Sequence, residues 1–195
     1  MILGITGGTG SGKTTLLSCV EKLGGLTIDC DEVYHRLLET DKALLCTIDA
    51  RFPGVVKDGR LDRKALGNIV FADEKALEDL NRITHSAVKN RVLEMLCKAP
   101  ELVAIDAIGL FEGGLAQLCD MTIAVTAPES LRIRRLMDRD GVTEEYARKR
   151  IAAQKSQQYY ISLCDHHLLN DSTASSFQEK CLAFLQDKVI MKENL

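Results

Sequence analysis

The fold is decided by the stretch "ILGITGGTGSGKTTLLSCV", residues 2–20. Within it, residues 7–14 read GGTGSGKT and fit the pattern G-x-x-x-x-G-K-[ST] at every fixed position. An apolar run precedes the glycines and a helical pattern follows them, which is the context that a phosphate-binding loop requires. A glycine turn with a coincidental lysine is the alternative, and both flanking segments disfavour it. The stretch therefore predicts a binding site for a nucleoside triphosphate.

The chemistry of such a loop assigns a task to each residue type. Glycines let successive backbone N–H groups point at phosphate oxygens, and the following helix adds partial positive charge at its N-terminus. We expect Lys13 to reach the β- and γ-phosphates and the Thr14 hydroxyl to ligate Mg²⁺. The residues expected to bind the nucleotide are Gly8, Thr9, Gly10, Ser11, Gly12, Lys13, Thr14 and Thr15. The cofactor expected here is Mg²⁺ with ATP.

Short apolar runs alternate with amphipathic stretches along the rest of the chain. Helices are predicted over 13–23 and 73–96, after Pro128, and from Thr143 as an N-cap. This alternation predicts an α/β fold, a three-layer P-loop nucleotide-binding core around a parallel five-stranded sheet. The predicted strands are 2–6, 26–30, 102–106, 121–126 and 166–169.

Two regions interrupt this alternation. Residues 32–100 place far more chain between the second and third strands than one crossover helix needs, and they predict a helical insertion. Residues 139–160 are dense in charge and only weakly apolar, and they predict a mobile lid. The nucleotide-binding core is then expected from residues 1–31 and 101–195, with the lid inside it.

Composition narrows the class of protein. Of 195 residues, 46% are hydrophobic and 27% charged, and a net charge of −3 argues against nucleic acid as the main partner. No apolar run approaches the roughly 20 residues that span a bilayer, and the N-terminus lacks the basic region of a signal peptide. The seven cysteines form no C-x-x-C pair and are predicted to be buried, reduced thiols rather than metal ligands. A cytoplasmic protein without membrane or nucleic-acid partners is expected.

Acidic residues follow two of the predicted strands. "TIDCD" (27–31) places Asp29 and Asp31 where the carboxyl ends of parallel strands face the loop. One of them, with Asp31 favoured, is expected to activate or position a hydroxyl nucleophile, while Asp29 is the candidate for orienting a neighbour or a metal-bound water. Capping of the next helix is the alternative, and Asp31 fits that as well. Asp106 ends "LVAID" (102–106) and is expected to hold Mg²⁺ directly or through water, a strand-end loop acid being its alternative.

A basic cluster follows the fourth predicted strand. Its members are Arg132, Arg134, Arg135 and Arg139. A solvated helix face explains such runs and fits Arg132 best. Arg139 lies where the helical pattern ends and is expected to move over the phosphates. An arginine in that place accelerates phosphoryl transfer roughly 10³–10⁵-fold. His35 and His85 lack metal-ligand spacing and, from the residues alone, are surface or packing histidines.

Beyond the loop, several longer segments resemble those of the dephospho-coenzyme A kinase family, and the similarity spans nearly the whole chain. The D-x-D after the second strand, the "DG-x-L-D-R" and the "L-M-x-R-D-G-V-T" are far more specific than the loop. The segments that carry the resemblance are "TIDCDEVYH" (27–35), "DGRLDRKALGNIVFAD" (58–73), "LNRITHSAV" (80–88), "GLFEGG" (109–114), "MTIAVTAPESLRIRRLMDRDGVTEEYARKRIAAQ" (121–154) and "CDHHLLND" (164–171).

The resemblance implies transfer of the ATP γ-phosphate to the 3′-hydroxyl of dephospho-CoA, the last step of coenzyme A synthesis. It implies that Asp31 activates this hydroxyl, that Lys13 and Arg139 act on the phosphates, and that Asn170 and Asp171 lie near the adenine. The residues it implies for the acceptor are Asp31, His35, His85, Phe111 and Glu112. It also implies that the helical insertion, residues 32–100, is the substrate-binding part that holds this acceptor. A monomer or weak homo-oligomer is expected.

Three positions depart from the family pattern. Ser86 stands where the family usually has proline, Ile108 begins the segment where the family reads P-L-L-F-E, and Pro53 separates Phe52 from Gly54 where the family has "FG". Two of these changes fall in segments expected to shape the acceptor site.

The residues alone leave two other functions open. One is another small P-loop kinase acting on a nucleoside, a nucleoside monophosphate or shikimate. The other is a nucleotide-dependent switch that has no acceptor. The chain lacks an obvious N-K-x-D guanine motif, which weighs against a GTPase.

Overall fold

A computed structural model describes residues 1–189, which form two compact units. The first unit comprises Met1–Ile28, Ala99–Leu110 and the chain from Ala116 onward, and the second comprises Asp29–Lys98 and Phe111–Leu115. The elements follow in chain order as β1 (Ile2–Thr6), α1 (Lys13–Lys22), β2 (Leu26–Asp29), α2 (Cys30–Thr40), α3 (Lys42–Arg51), β3 (Val56–Lys57), β4 (Arg60–Leu61), α4 (Arg63–Val70), α5 (Glu74–Leu96), β5 (Val103–Asp106), β6 (Met121–Thr126), α6 (Glu129–Asp140), α7 (Glu144–Ala152), α8 (Gln157–Leu163), β7 (His166–Leu169) and α9 (Ala174–Lys188).

Five strands form one sheet in the order β2-β5-β1-β6-β7. The pairs β1–β5, β1–β6 and β6–β7 are parallel, with Ile2 opposite Val103, Leu3 opposite Met121 and Ile123 opposite His166. Every residue of β6 is buried, as expected for a strand whose sheet is covered on both faces. The prediction of an α/β fold with a parallel five-stranded sheet is confirmed, and the strand bounds agree to within one residue.

The core of the first unit lies between the sheet and the helices α1 and α9. Leu16 and Val20 of α1 and Phe177 and Leu185 of α9 are fully buried in one apolar cluster with Leu3 of β1. Removing such a side chain costs about 2–5 kcal/mol in proteins generally. This packing supports β1 and α1, the two elements that the phosphate loop connects.

Side-chain caps begin seven of the helices. Each capping oxygen accepts a backbone N–H that the helix itself leaves without a partner. The caps are Asp29, Asp41, Asp62, Asp73, Thr143, Ser156 and Thr173. The Thr143 cap is confirmed. The capping alternative for Asp31 is wrong, because Asp29 accepts from the N–H groups of Asp31 and Glu32 at 2.8 and 3.1 Å.

The second unit contains helices α2–α5 and a short antiparallel hairpin, β3–β4. The sequence predicted only helices in the insertion, residues 32–100, and so missed this hairpin. Asp58 and Gly59 both have positive φ, 50° and 73°, which is the backbone of a tight turn whose twist matches the paired strands. The Asp-Gly pair, with Val56 and Leu61 two positions away on either side, was therefore the signal that could have revealed it. Leu66, Phe52, Ile48 and Val70 are buried in this unit's own apolar cluster.

The cysteines divide by exposure. None of the seven forms a disulfide within residues 1–189, and Cys19, Cys30 and Cys181 are buried. Cys46 and Cys97 are exposed, so the prediction of burial is wrong for these two, which lie on the outer side of α3 and just after α5. No helix in the described part of the chain combines the length and apolar character that crossing a membrane requires.

Candidate active site

The phosphate loop joins β1 to α1 and turns through glycines. Gly10 and Gly12 have φ of 74° and 104°, a region that side chains rarely adopt. The N–H of Ser11 donates to the Gly8 carbonyl at 3.2 Å, and that of Thr15 to the Gly12 carbonyl at 3.0 Å. The helix α1 then begins at Lys13 without a side-chain cap. Its first N–H groups are therefore available for an anion.

Close packing around the loop requires glycine at further positions. A Cβ atom added to Gly7 would collide with the Val125 carbonyl, and one added to Gly8 would collide with the Arg132 guanidinium. The Ser11 hydroxyl is buried and has no hydrogen-bond partner among the described residues. A buried hydroxyl without a partner is unfavourable, so a ligand or water that bonded it would be stabilised here.

Lys13 and Asp106 are brought together at the loop. The Lys13 Nζ donates to the Gly7 carbonyl at 3.1 Å and lies 3.8 Å from Asp106 Oδ1. Both side chains are largely buried, at 13% and 16% exposure, and Asp106 is the last residue of β5. The ammonium is thus held at the mouth of the loop.

The oxygen donors here suit Mg²⁺. Thr14 supplies a hydroxyl in the first turn of α1, and Asp106 supplies a carboxylate. Within residues 1–189, no group of three or more His, Cys, Asp or Glu side chains could hold a metal ion. Mg²⁺ is commonly bound through one or two protein oxygens, with substrate phosphates and water completing its shell. The pair fits that pattern.

Two arginines of α6 hold the loop by its carbonyl groups. Arg132 is 4% exposed and donates from Nε to the Thr9 carbonyl at 2.8 Å, and burial lowers the pKa of its guanidinium. Arg135 donates to the carbonyls of Gly10 and Ser11 at 3.1 and 3.3 Å. The prediction of a solvated face for Arg132 is wrong, because α6 packs this face against the loop.

Asn170 joins the same network from the end of β7. It is 3% exposed, its Nδ2 donates to the Ser11 carbonyl at 2.9 Å, and its Oδ1 accepts from Arg135 at 3.0 Å. A Cβ atom added to Gly12 would collide with this amide. The structure therefore places Asn170 against the loop, while Asp171 beside it is exposed.

Sequence reasoning missed Gln154. Its Oε1 accepts from the Thr9 N–H at 2.9 Å and from Arg132 Nη2 at 3.2 Å. Glutamine carries no motif at this spacing, and 145 residues separate it from Thr9. No signal in this single sequence could have found it.

Arg139 lies at the end of α6 and pairs with an acid rather than with the loop. Its Nε and Nη2 donate to the two Asp140 carboxylate oxygens at 2.7 and 3.1 Å, and Arg150 adds a third bond at 2.6 Å. These bonds, from Arg139 first and then Arg150, lower the pKa of Asp140 to about 2. The Arg139 side chain is 61% exposed. A role on the phosphates requires it to leave Asp140.

The residues expected to bind the acceptor all belong to the second unit. Asp31 and His35 lie one turn apart on α2, and both are exposed. His85 is half-buried on α5, and Phe111 and Glu112 lie in the segment Phe111–Leu115. The residues expected to bind the nucleotide, Asn170 included, all belong to the first unit.

Comparison with known proteins identifies the family. The family described as "Dephospho-CoA kinase" matches residues 1–176. The chain belongs to the dephospho-CoA kinase family. The resemblance read from the sequence is thus confirmed. A dephospho-CoA kinase of Geobacillus kaustophilus is 35% identical over 192 residues, which cover 95% of this chain and 96% of that protein.

Solved structures agree with this membership. Dephospho-CoA kinase from Campylobacter jejuni has a TM-score of 0.70 and 26% identity, and the match covers 100% of this chain and 98% of that one. The protein TT1252 from Thermus thermophilus has a TM-score of 0.82 and 31% identity, with 97% of each chain covered.

The three departures from the dephospho-CoA kinase pattern differ in their exposure and in their contacts. Ser86 is exposed on α5. Ile108 is half-buried, and its carbonyl accepts from the Thr6 hydroxyl at 3.1 Å, a bond that any residue could supply. Pro53 is exposed between buried Phe52 and Gly54, whose φ is 83°. None of the three changes the loop, Lys13 or Asp106.

Proposed function

We propose that this chain transfers the γ-phosphoryl group of ATP to the 3′-hydroxyl of dephospho-CoA, giving ADP and coenzyme A. The observation that carries the proposal is the complete phosphate loop, with Lys13 held between Gly7 and Asp106, in a chain of the dephospho-CoA kinase family. Membership of this family disfavours the other small P-loop kinases and the acceptor-free switch.

On the ATP side, residues of the first unit bind the phosphates and stabilise their negative charge. The loop amides and Lys13 hold the phosphates, and Arg139, once released from Asp140, stabilises charge on the transferring group. Mg²⁺ held by Thr14 and Asp106 would supply further neutralisation of the phosphate charge. Asn170, whose amide donates to the Ser11 carbonyl, is proposed to lie near the adenine together with Asp171.

On the acceptor side, the proposal assigns the chemistry to Asp31. Its carboxylate accepts the proton of the 3′-hydroxyl as the oxygen–phosphorus bond forms and the bond to ADP breaks. Since Asp29 caps α2, the Asp31 carboxylate is left outside that cap. His35, His85, Phe111 and Glu112 are proposed to bind the acceptor within the second unit.

Water must be kept from bound ATP, and the protein must have a location and an oligomeric state in the cell. We propose that residues 139–160, which contain α7 and the start of α8, cover bound ATP and exclude water, which would otherwise hydrolyse it. A cytoplasmic location and a monomer or weak homo-oligomer stay predictions, to be checked by fractionation and by light scattering.

The decisive experiment compares acceptors. ADP release from ATP is followed with dephospho-CoA, adenosine, AMP and shikimate in parallel, and the product is identified by its mass. We expect dephospho-CoA alone to stimulate release, with formation of coenzyme A. Stimulation by another acceptor would favour a different kinase, and slow hydrolysis independent of acceptor would favour a nucleotide switch.

A further inference from the structure

Thr9 is held at both of its backbone groups by side chains from outside the loop. Its N–H donates to Gln154 Oε1 at 2.9 Å, and its carbonyl accepts from Arg132 Nε at 2.8 Å. Arg132 Nη2 also donates to Gln154 Oε1 at 3.2 Å, which closes the set. We call Arg132 and Gln154 together the Thr9 clamp.

The clamp joins three segments of the first unit that are distant in sequence. Arg132 lies on α6, Gln154 follows α7 in the charged segment 139–160, and Thr9 lies in the phosphate loop. The single oxygen of Gln154 accepts from both the loop and the arginine. Loss of that oxygen would leave a backbone N–H and a guanidinium N–H without this acceptor, which is unfavourable for partly buried groups.

The guanidinium of Arg132 bonds neutral oxygens and has no acidic partner within residues 1–189. None of the ion pairs among the described residues includes it, and its side chain is almost fully buried. Burial lowers the pKa of the Arg132 guanidinium. The Tyr160 phenol and Glu129, one turn earlier on α6, raise this pKa by a smaller amount. A glutamine rather than a glutamate at position 154 therefore leaves this positive charge uncancelled beside a loop built for phosphates.

We propose that Gln154 and Arg132 are positioning residues, which set the conformation of Thr9 for phosphoryl transfer. The inference rests on the phosphoryl transfer proposed above. Neither side chain is assigned a contact with the reacting atoms, because both act through Thr9. A displacement of about 1 Å at a reacting centre costs on the order of 10²-fold in rate, so a loosened loop should reduce turnover more than nucleotide binding.

The test removes the acceptor oxygen and keeps the side-chain volume. In Gln154→Met we expect kcat with dephospho-CoA to fall about 10- to 100-fold, with the KM for ATP changed less than about threefold. Asp120→Leu is the control, because Asp120 Oδ2 accepts the backbone N–H of Ile2 at 2.7 Å at the start of β1, away from the phosphate loop and from residues 139–160. Both variants should lose similar thermal stability, but the control should keep kcat within about twofold.

A second variant keeps the inference falsifiable if Gln154→Met does not fold. Arg132→Lys retains the charge but replaces the planar guanidinium, whose Nε and Nη2 bond Thr9 and Gln154, with a single nitrogen on a shorter side chain, so its kcat should fall about 5- to 50-fold. Where Gln154→Met folds, the double variant Arg132→Lys with Gln154→Met should lose no more kcat than the more impaired single variant, because both residues act through Thr9. Wild-type kcat in the single variants, an equal kcat loss in Asp120→Leu, or fully additive losses would each overturn the inference.

The wild-type protein separates this inference from the proposed function. If it transfers no phosphate to dephospho-CoA, the proposed function fails, and the clamp is then tested on ATP hydrolysis without an acceptor. A loss of hydrolysis in Gln154→Met that spares Asp120→Leu would support the clamp, and equal rates in the two would overturn it.

Discussion

At the residue scale, one helix cap distinguishes Asp29 from Asp31. Asp29 accepts two N–H groups at the start of α2, so its carboxylate is committed to the backbone. Asp31 follows in the first turn and is exposed. Two acids two residues apart therefore differ in their hydrogen bonds, and the difference is decided by where the helix begins.

The role of Asp31 is tested by Asp31→Asn. An amide cannot take the proton of the acceptor hydroxyl, so kcat should fall by about 10²–10⁴-fold while ATP affinity stays within about threefold. Steady-state kinetics and calorimetric titration of ATP measure the two effects. Glu32→Gln, which alters the neighbouring exposed carboxylate, is the control and should keep near-normal kcat. A near-normal rate in Asp31→Asn would remove Asp31 from the chemistry.

The role of Arg139 is tested by Arg139→Ala. An arginine that meets the transferring phosphoryl contributes roughly 10³–10⁵ in rate, so kcat should fall within that range with a smaller loss of ATP affinity. Arg150→Ala is the matched control, because Arg150 shares the Asp140 partner. If Arg139→Ala weakens ATP binding more than it slows turnover, the residue serves binding instead.

At the element scale, caps and apolar patterns explain most of the helix and strand bounds. The strands of the sheet and the long helix α5 end within a residue or two of their predicted bounds, because burial pattern and caps are local. The face of α6 could not be read in this way. Its arginines look like a solvated cluster in sequence, and only packing against the loop shows that Arg132 and Arg135 point inward.

The cap of α7 provides a test at this scale. Thr143 accepts the Tyr146 N–H at 3.3 Å, and Thr143→Ala should lower the free energy of unfolding by about 1 kcal/mol. Thr143→Ser, which keeps the hydroxyl, should retain most of the stability. Urea unfolding of the two variants measures the difference. Equal stability of the alanine and serine variants would show that the cap contributes nothing.

At the scale of the whole molecule, the cysteines report on the packing of both units. Burial raises the pKa of Cys119 and Cys181 to about 12 and that of Cys164 to about 11. A raised pKa keeps a thiol protonated at pH 8, and only the thiolate reacts readily. Cys46 and Cys97 are exposed, so a reagent in solution can reach their thiols.

We therefore expect the folded protein to react with a thiol reagent at pH 8 in two stages. Cys46 and Cys97 should react quickly, and the remaining cysteines only after unfolding in denaturant. Absorbance of the released chromophore counts the thiols in each stage, and Cys46→Ser with Cys97→Ser should remove the fast stage. Fast reaction of Cys119 or Cys181 in the folded state would contradict the packing described for the first unit.

What the sequence alone determined is local in the chain. The phosphate loop, the strands around it and the caps depend on contacts between residues a few positions apart, and the family follows from motifs that can be read directly. The tertiary structure alone decided the partners of Thr9, because Arg132 and Gln154 lie 123 and 145 residues away from it. It also decided that Arg150 of α7 joins Arg139 at Asp140. Such pairings depend on how elements pack, and no spacing rule in a single sequence encodes them.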